Sequence, residues 1–472
     1  MNKTAAIPLL ALLLAGCSTP VPQALSPEMT PRTFTGPVAS DAKVWPEPSW
    51  WQGFGDAQLT ALVGQAQDGN RDIAIATARV MQAEAQATIQ RSALFPQIGG
   101  QADYQRGGCS GQSCARYPNA KLFGLNFNAS YELDFWGLAR NNLRAANEQL
   151  KAAGFAQQSV ALTVTANVAS QYLNVLAIRR RIAIVHQYIA AINAILDVIN
   201  LRVKAGATSH LDLAREQAQL ESAQAQLPSL ETLEKQALYS LAVLLGRPPE
   251  GFDLTPGDLE KIRLPVIGPG LPSELLLRRP DIAQAEANLA GAHANLDAAR
   301  AAFLPQISLT SQGGFISAAV GTLLQGSNFG YGYGAQLLQT IFDGGRLAGQ
   351  KDLAEGTQRE FIAAYQNAAL NAYADVEFAL IQVANTSRAE GHLRRLITAA
   401  EQAFQISQLQ YRQGAGELLN VLQAQQTLFS AQDQLVQTVL ANRLAAVHLY
   451  EALGGGWVEA PEDRTQLVGN LR

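Results

Sequence analysis

The stretch FGLNFNASYELDF, residues 123–135, decides the fold, because apolar and polar side chains alternate along it with period two. Such alternation predicts a strand with one apolar and one polar face. Its length suits a tilted membrane-spanning strand. In isolation a soluble hairpin with one face on a core fits the pattern better, but the N-terminal lipid anchor, the aromatic-rich faces and the repeat described below favour the membrane strand. Partner strands are predicted near 98–105 and 307–315. The alternation returns in the second half at Tyr331, Tyr333, Ala335 and Leu337.

A very long helix is predicted directly after this strand. Gly137 to Lys204 contains no proline, and because proline breaks helix interiors, its absence permits one nearly continuous helix. At 1.5 Å per residue this helix would span roughly 100 Å. A second long proline-free region runs from Gln306 to Ala460. A globular core has no use for such a length, whereas a coiled-coil-like barrel that crosses a compartment does.

The chain also repeats itself. LFPQI at residues 94–98 returns as FLPQI at 303–307. Residues 217–227 return at 425–435, where seven of the eleven positions are identical at a shift of 208. Repetition at this fixed shift indicates two related halves.

The repeat predicts how the chain is divided. A signal peptide is expected at 1–16, a first repeat at 17–246, a proline-rich linker at 247–280 and a second repeat at 281–472. Gly206 and Gly414 keep the shift of 208 and are predicted to end helices in helix–turn–helix connections. The expected parts of the repeats are a hairpin at about 98–135 and a tip at about 204–212, and then a hairpin at about 306–341 and a tip at about 412–423.

Two hairpins give four strands per chain, and this number bears on assembly. An open sheet edge cannot sit in lipid, because each unpaired backbone group there costs several kcal/mol. Closed membrane barrels need about eight strands or more. One chain therefore cannot close a barrel, and subunits must share it. Cyclic assemblies of two or of three chains both satisfy this requirement.

The N-terminus has the pattern of a bacterial lipoprotein signal. A positively charged start and an apolar run lead to Leu14-Ala15-Gly16-Cys17, and the thiol of Cys17 is the expected lipidation site, with an ordinary signal peptide and a chance cysteine as the alternative. A lipid anchor holds a protein to a membrane without spanning it. No uninterrupted run of 18 apolar residues follows, so no transmembrane helix is predicted.

Two further cysteines, Cys109 and Cys114, lie close together in a glycine-rich segment. Because exported proteins meet an oxidising compartment, a small loop disulfide is expected. A metal or redox pair is the alternative, but no histidine or further cysteine lies near.

The residue pattern gives no support for catalysis, cofactors or nucleic acid. There is no HExxH, no GxSxG and no lysine preceded by glycine. Three methionines do not support a relay for copper or silver, and a net charge of −4 gives no electrostatic case for nucleic acid. Carboxylates such as Glu216, Glu221 and Glu231 are interpreted as solvated helix faces. We therefore expect neither an enzyme nor a metal site.

Several longer stretches resemble the TolC/OprM-like outer-membrane efflux ducts, specifically the NodT-type lipoprotein branch that serves RND pumps. The resemblance covers nearly the whole mature chain. It is carried by GLPSELLLRRPDI at 270–282, ARAAFLPQI at 299–307, WW at 50–51 with FGD at 54–56, and LYEALGGGW at 449–457.

This resemblance implies a mainly α fold with a membrane β part. Three chains would form a homotrimer with a 12-stranded transmembrane β-barrel and a long α-helical barrel across the periplasm. The duct would passively conduct drugs or other small molecules from an inner-membrane RND pump and a periplasmic adaptor to the outside. The residues that the resemblance places at the adaptor-contacting tips are Gly206, Ser209, Leu211, Gly414, Leu418 and Leu419.

Two other functions compete with this one. A type I protein-secretion duct shares the fold, but Cys17 and the stretch Arg278 to Asp281 favour the RND branch. A non-transporting scaffold lipoprotein would leave the repeated strands and the long helix unexplained.

The resemblance also implies a gate, with Asp212 and Tyr411 joined by a charge-assisted hydrogen bond. Without it, Asp212 would be interpreted as a helix cap and Tyr411 as a packing residue. Asn420 and Gln423 stand where relatives often carry acidic residues, and Gly416 stands where some carry an arginine. We therefore expect a gate closed mainly by hydrogen bonds and packing.

Overall fold

The computed structural model describes residues 29, 31, 33–36, 45–108, 119–264 and 272–458. The expected lipidation site Cys17 and the expected disulfide between Cys109 and Cys114 lie outside these described residues.

The described chain is mostly helical. The strands are β1 Gln97–Gly108, β2 Asn119–Leu133, β3 Gln306–Ser317 and β4 Phe329–Leu338. The longer helices are α1 Ala57–Gly69, α2 Arg71–Ser92, α3 Leu138–Lys204, α4 His210–Gln224, α5 Leu227–Leu244, α6 Pro280–Ala301, α7 Arg346–Gln413 and α8 Leu418–Ala452. Short 3-10 turns and a one-turn helix at Pro272–Leu275 connect them.

The four strands form one antiparallel sheet in the order β1-β2-β3-β4. The predicted strands and their partners are confirmed. The pairing of β2 with β3, from Phe123 opposite Ser317 to Leu133 opposite Ile307, joins the two repeats in a single sheet. In the described chain β1 and β4 each have a neighbour on one side only.

In each repeat, the connection between the strand and the long helix contains an aspartate and, two or three residues later, a glycine. Gly137 and Gly345 occupy the N-cap positions with φ of 82° and 91°, a left-handed conformation that side chains disfavour. A glycine has no side chain with which to cap the helix. The carboxylate of Asp134 accepts instead from the backbone N–H groups of residues 139 and 140, at 3.1 and 2.9 Å. Asp343 accepts from those of residues 345 and 347, both at 3.0 Å.

The repeated Pro-Gln-Ile motif also takes part in these junctions. The indole N–H of Trp136, between β2 and α3, donates to the carbonyl oxygen of Pro305 at 2.7 Å. The amide of Gln339, after β4, donates to the carbonyl oxygen of Phe303 at 3.1 Å. The segment that leads into β3 therefore fastens the ends of β2 and β4.

The two long helices have 67 and 68 residues, so each measures about 100 Å. The long helix predicted up to Lys204 is confirmed. An 18-residue stretch of α3 has mean hydropathy 1.7, which by length and composition alone would let it cross a membrane. Of this stretch, 39% is buried within the described chain. Elsewhere along its length, α3 supplies Val168, Tyr172 and Leu173 to the main core.

The main core lies where the two repeats meet. It joins Trp50 and Phe54, near the N-terminus, to α3, α5 and α8. Trp50 stacks on Tyr450 of α8 with ring centroids 4.9 Å apart. The tryptophan pair and the C-terminal Leu-Tyr-Glu stretch, which are far apart in sequence, therefore pack together.

Candidate functional site

The helical turns at the ends of the long helices have the same backbone geometry in both repeats. In the first turn, residues 205–209, Gly206 has φ 67°, and the N–H of Ala207 donates to the carbonyl of Arg202 at 2.8 Å. In the second turn, residues 414–417, Gly414 has φ 81°, and the N–H of Ala415 donates to the carbonyl of Gln410 at 2.9 Å. The prediction that both glycines end helices is confirmed.

A small apolar cluster lies beneath these turns. It contains Ile195 and Ile199 of α3, Tyr411 of α7, and Leu418 and Val421 of α8, and we call it the tip cluster. It brings the ends of three helices from both repeats together. Of the predicted tip leucines, Leu418 is therefore a core residue in this chain, because its side chain is buried here. Leu211 and Leu419 are 58% and 46% exposed.

The first turn fixes the start of α4 with its own side chains. The hydroxyl of Ser209 accepts from the N–H of Asp212 at 3.3 Å, so Ser209 is the N-cap. The carboxylate of Asp212 accepts from the hydroxyl of Thr208 at 2.7 Å. Asp212 also lies in the first turn of α4, where a negative charge favours the helix dipole.

Asp212 and Tyr411, the predicted gate pair, do not bond to one another within the described chain. The ring of Tyr411 is buried in the tip cluster, and among the described residues its hydroxyl finds no hydrogen-bond partner. The residue that does hold Tyr411 is Arg202, which the sequence did not single out. Its guanidinium carbon lies 4.5 Å from the centre of the Tyr411 ring, and its Nη2 donates to the carbonyl oxygen of Tyr411 at 2.6 Å.

Three positions on the second-repeat tip lack the charged residues that some relatives carry there, and they differ in exposure. Asn420 and Gln423 are exposed. A Cβ atom added at Gly416 would meet the Cβ atom of Gln410 at 3.0 Å, so a larger side chain there would require α7 or the second turn to shift. That the gate lacks an acidic ring stays a prediction.

A polar layer follows the tip cluster along the helices. The ring of Tyr188 stacks on Phe429 with centroids 4.2 Å apart, and its hydroxyl donates to the side-chain oxygen of Gln426 at 2.9 Å. The amide of Gln219 donates to the same oxygen at 2.7 Å and also bonds to the Tyr188 hydroxyl. These three hydrogen-bonded side chains connect α3, α4 and α8.

Glu216, one turn before Gln219, was expected on a solvated face, and this expectation is wrong. Its side chain is fully buried, and neither carboxylate oxygen has a hydrogen-bond partner in the described part of the chain. Burial raises the pKa of Glu216 to about 7. Glu221 and Glu231, in contrast, are exposed. On the same face of α4, Leu213 and Leu220 lie three residues before and four residues after Glu216 and pack against the main core, so their spacing could have indicated that this face is buried.

The match to a known protein family covers both repeats. The family described as "Outer membrane efflux protein" matches residues 62–247 and 271–455. The pyoverdine export outer membrane protein OpmQ of Pseudomonas putida is 36% identical over 455 residues, which cover 95% of this chain and 96% of that protein. The cation efflux system protein CusC of Escherichia coli K12 is 29% identical, with 94% and 98% covered.

Solved structures agree with these sequence matches. The open-state MtrE outer membrane channel of Neisseria gonorrhoeae has a TM-score of 0.84 at 28% identity, covering 92% of this chain and 98% of that one. A CusC structure has a TM-score of 0.83 at 27% identity, covering 94% and 100%. The chain therefore belongs to the outer membrane efflux protein family. It is a channel component of an efflux system and resides in the outer membrane.

Proposed function

We propose that three copies of this chain form one continuous duct through the outer membrane and across the periplasm. The observation that carries this proposal is the four-stranded sheet whose outer strands, β1 and β4, each have a free edge in the described chain. Free edges cannot remain in lipid. Three copies would pair β1 of one with β4 of the next and close a barrel of about twelve strands, within the range of known membrane barrels.

The exposed apolar side chains support the same assembly. On β4 the ring of Tyr333 is 86% exposed, as suits a side chain that faces lipid. The long helix α7 exposes apolar residues along its length, which neighbouring copies would cover; they include Leu353, Leu370, Phe378, Ile381, Ile406 and Leu409. Exposed apolar side chains in this number on one helix suit contacts with other protein chains.

The two turns are the proposed contact for a periplasmic adaptor, which would link the duct to an inner-membrane RND pump. The exposed Leu211 and Leu419 would provide apolar anchors, and Gly206, Ser209 and Gly414 would let the adaptor approach the backbone closely. Lipid on Cys17 would anchor the N-terminus in the outer membrane. Energy would come from the pump, since this chain contributes a passage and no catalysis.

The proposed cargo is a small organic molecule. Two relatives named for pyoverdine export are 36% and 37% identical to this chain, whereas CusC, named for cation efflux, is 29% identical. The chain has only three methionines, the side chains that suit copper or silver, and no metal-binding group of histidine, cysteine and carboxylates occurs among the described residues.

Deletion of the gene, with the pump and adaptor genes intact, tests this function. We expect an exported siderophore or drug to accumulate in the periplasm or cell, and the full-length gene to restore export. A variant in which residues 119–133 are removed is the matched control, because it lacks β2 and cannot complete the sheet. Unchanged accumulation would overturn the efflux function, and loss of a secreted protein instead would indicate the protein-secretion duct.

A further inference from the structure

One side chain connects the end of α3, in the first repeat, to the end of α7, in the second. Arg202 lies in the last turn of α3. Its Nη2 atom lies 2.6 Å from the carbonyl oxygen of Tyr411 and 3.4 Å from that of Arg412. Its guanidinium carbon lies over the Tyr411 ring, 4.5 Å from the ring centre.

These contacts suit both partners chemically. The last carbonyl groups of a helix lack intrahelical donors and carry the negative end of the helix dipole. A guanidinium supplies a permanent positive charge and several N–H donors in one plane, so it can bond to carbonyls while it stacks on an aromatic ring. A lysine would supply the positive charge, but its ammonium group could not stack on the ring and donate several coplanar hydrogen bonds at the same time. Arg202 therefore works as an external cap on α7.

The connection is not reciprocated between the repeats. At the shift of 208 residues, Gln410 takes the place of Arg202 and Tyr411 that of Val203. The first repeat thus holds the second, whereas no equivalent side chain of α7 holds the end of α3 within the described chain. Because the hydroxyl of Tyr411 finds no partner there, Tyr411 is held by its ring and its carbonyl.

We propose that Arg202 is the positioning residue that keeps the second turn fastened to the first, so that the duct opens at its inner end only when Arg202 releases Tyr411. The gating part of this proposal rests on the proposed function, whereas the fastening of the two turns is a property of a single chain. The tip cluster remains when Arg202 is replaced, because its five members are all other residues. Loss of Arg202 therefore loosens the second turn without removing its apolar support.

Electrical recordings of the purified full-length protein in planar bilayers test the gating part. Arg202→Gln is expected to raise the ratio of time spent open to time spent closed about tenfold, which corresponds to about 1.4 kcal/mol. Arg202→Lys should lie between Gln and wild type. Lys204→Gln is the matched control, because Lys204 is in the same helical turn, carries the same charge and is exposed; it should behave as wild type. Equal effects of Arg202→Gln and Lys204→Gln would overturn the proposal.

A distance measurement tests the fastening independently of conduction. Spin labels would replace the exposed Ala207 and Ala415, one in each turn, in a background with Cys109→Ser and Cys114→Ser. Labelled chains would be mixed with an excess of unlabelled ones, so that distances within one chain dominate. Arg202→Gln should broaden the distance distribution and shift it outward, whereas Lys204→Gln should leave it narrow.

The outcomes separate the two proposals. A broadened distribution in a protein that does not conduct would support Arg202 as the fastening residue and contradict the proposed duct. An unchanged distribution in a conducting protein would contradict Arg202 and leave the duct intact. If Arg202→Gln does not assemble, Arg202→Met serves in its place, since it removes the charge and the donors and keeps the apolar stem of the side chain. A narrow distribution in that variant would also contradict the proposal.

Discussion

The long helices are held differently at their two ends. Where they join the sheet, both repeats use the same arrangement, an aspartate that caps a helix beginning at a left-handed glycine, with Asp134 and Asp343 in matching roles. At the turns, the repeats share backbone geometry but not side chains, since Arg202 has only Gln410 as its counterpart. At the sheet end, an aspartate carboxylate thus accepts backbone hydrogen bonds from the long helix in each repeat. The turn end depends on a few contacts between the repeats. We therefore expect movement to cost less free energy at the turns than at the sheet.

Matched leucine truncations should show the largest contrast between the regions. Leu173→Ala, in the main core, is expected to lower the free energy of unfolding by about 2–5 kcal/mol, because it leaves a cavity in a closely packed site. Leu418→Ala, in the tip cluster, should leave global unfolding closer to wild type and instead speed hydrogen exchange at the start of α8. Denaturant titration of the solubilised protein and amide exchange measure the two effects. Equal losses of global stability would remove the distinction.

The second-largest expected effect is a pH dependence of stability, which comes from the buried carboxylate of Glu216 near the turns. The folded-state pKa of Glu216 is raised to about 7 from an ordinary value of 4.5. The cost of burying its negative charge is therefore absent below about pH 4.5 and grows up to about pH 7. Glu216→Gln should therefore raise the melting temperature at about pH 8 and change it little at about pH 5. The melting temperature should rise by about 2–4 °C for each kcal/mol by which the substitution stabilises the protein.

The control for this pH dependence is Glu221→Gln, which removes an exposed carboxylate from the same helix. It should not alter the difference between the two pH values. If Glu216→Gln proves destabilising at alkaline pH, Glu216 has a partner in the assembled protein, and the turn end is better fastened than a single chain indicates.

The two aspartates that cap the long helices should have smaller effects on stability, equal in the two repeats. Asp134→Ala and Asp343→Ala should each lower the free energy of unfolding by about 0.5–2 kcal/mol, the usual loss for a helix cap. Asp352→Ala, an exposed position on α7, is the control and should change stability little. Urea titration measures all three variants. Clearly unequal losses at the two caps would show that the sheet end is as asymmetric as the turns.

The smallest effect is expected for Tyr411→Phe. This change keeps the ring and the carbonyl that Arg202 contacts and removes a hydroxyl that is unbonded in the described chain. Closed-state conductance should therefore stay near the wild-type level, also in combination with Asp212→Ala. A large rise in the double variant would support the predicted Asp212–Tyr411 gate bond, formed in the assembled duct.

Much of the fold follows from local sequence. The alternation at 123–135 predicted a strand, because strand side chains point to opposite faces in turn. The two glycines at a shift of 208 marked the turns, because both end a helix in a conformation that glycine favours. The site was predicted less completely. Leu418 and Glu216 were expected at the surface but are buried. Leu418 packs against residues of α3 and α7, and Glu216 lies on the face of α4 that carries Leu213 and Leu220. A local pattern does not specify which helix covers such a face.

The sequence by itself determined the two repeats, the strands, the uninterrupted helices and the turns, since each depends on side-chain periodicity or backbone preference within a short stretch. Only the tertiary structure decided that β2 pairs with β3 across the two repeats. It also decided that Arg202, and not Asp212, contacts Tyr411, 209 residues away. Such contacts are set by how helices from separate repeats pack side by side, and residues that meet this way carry no shared signal in one sequence.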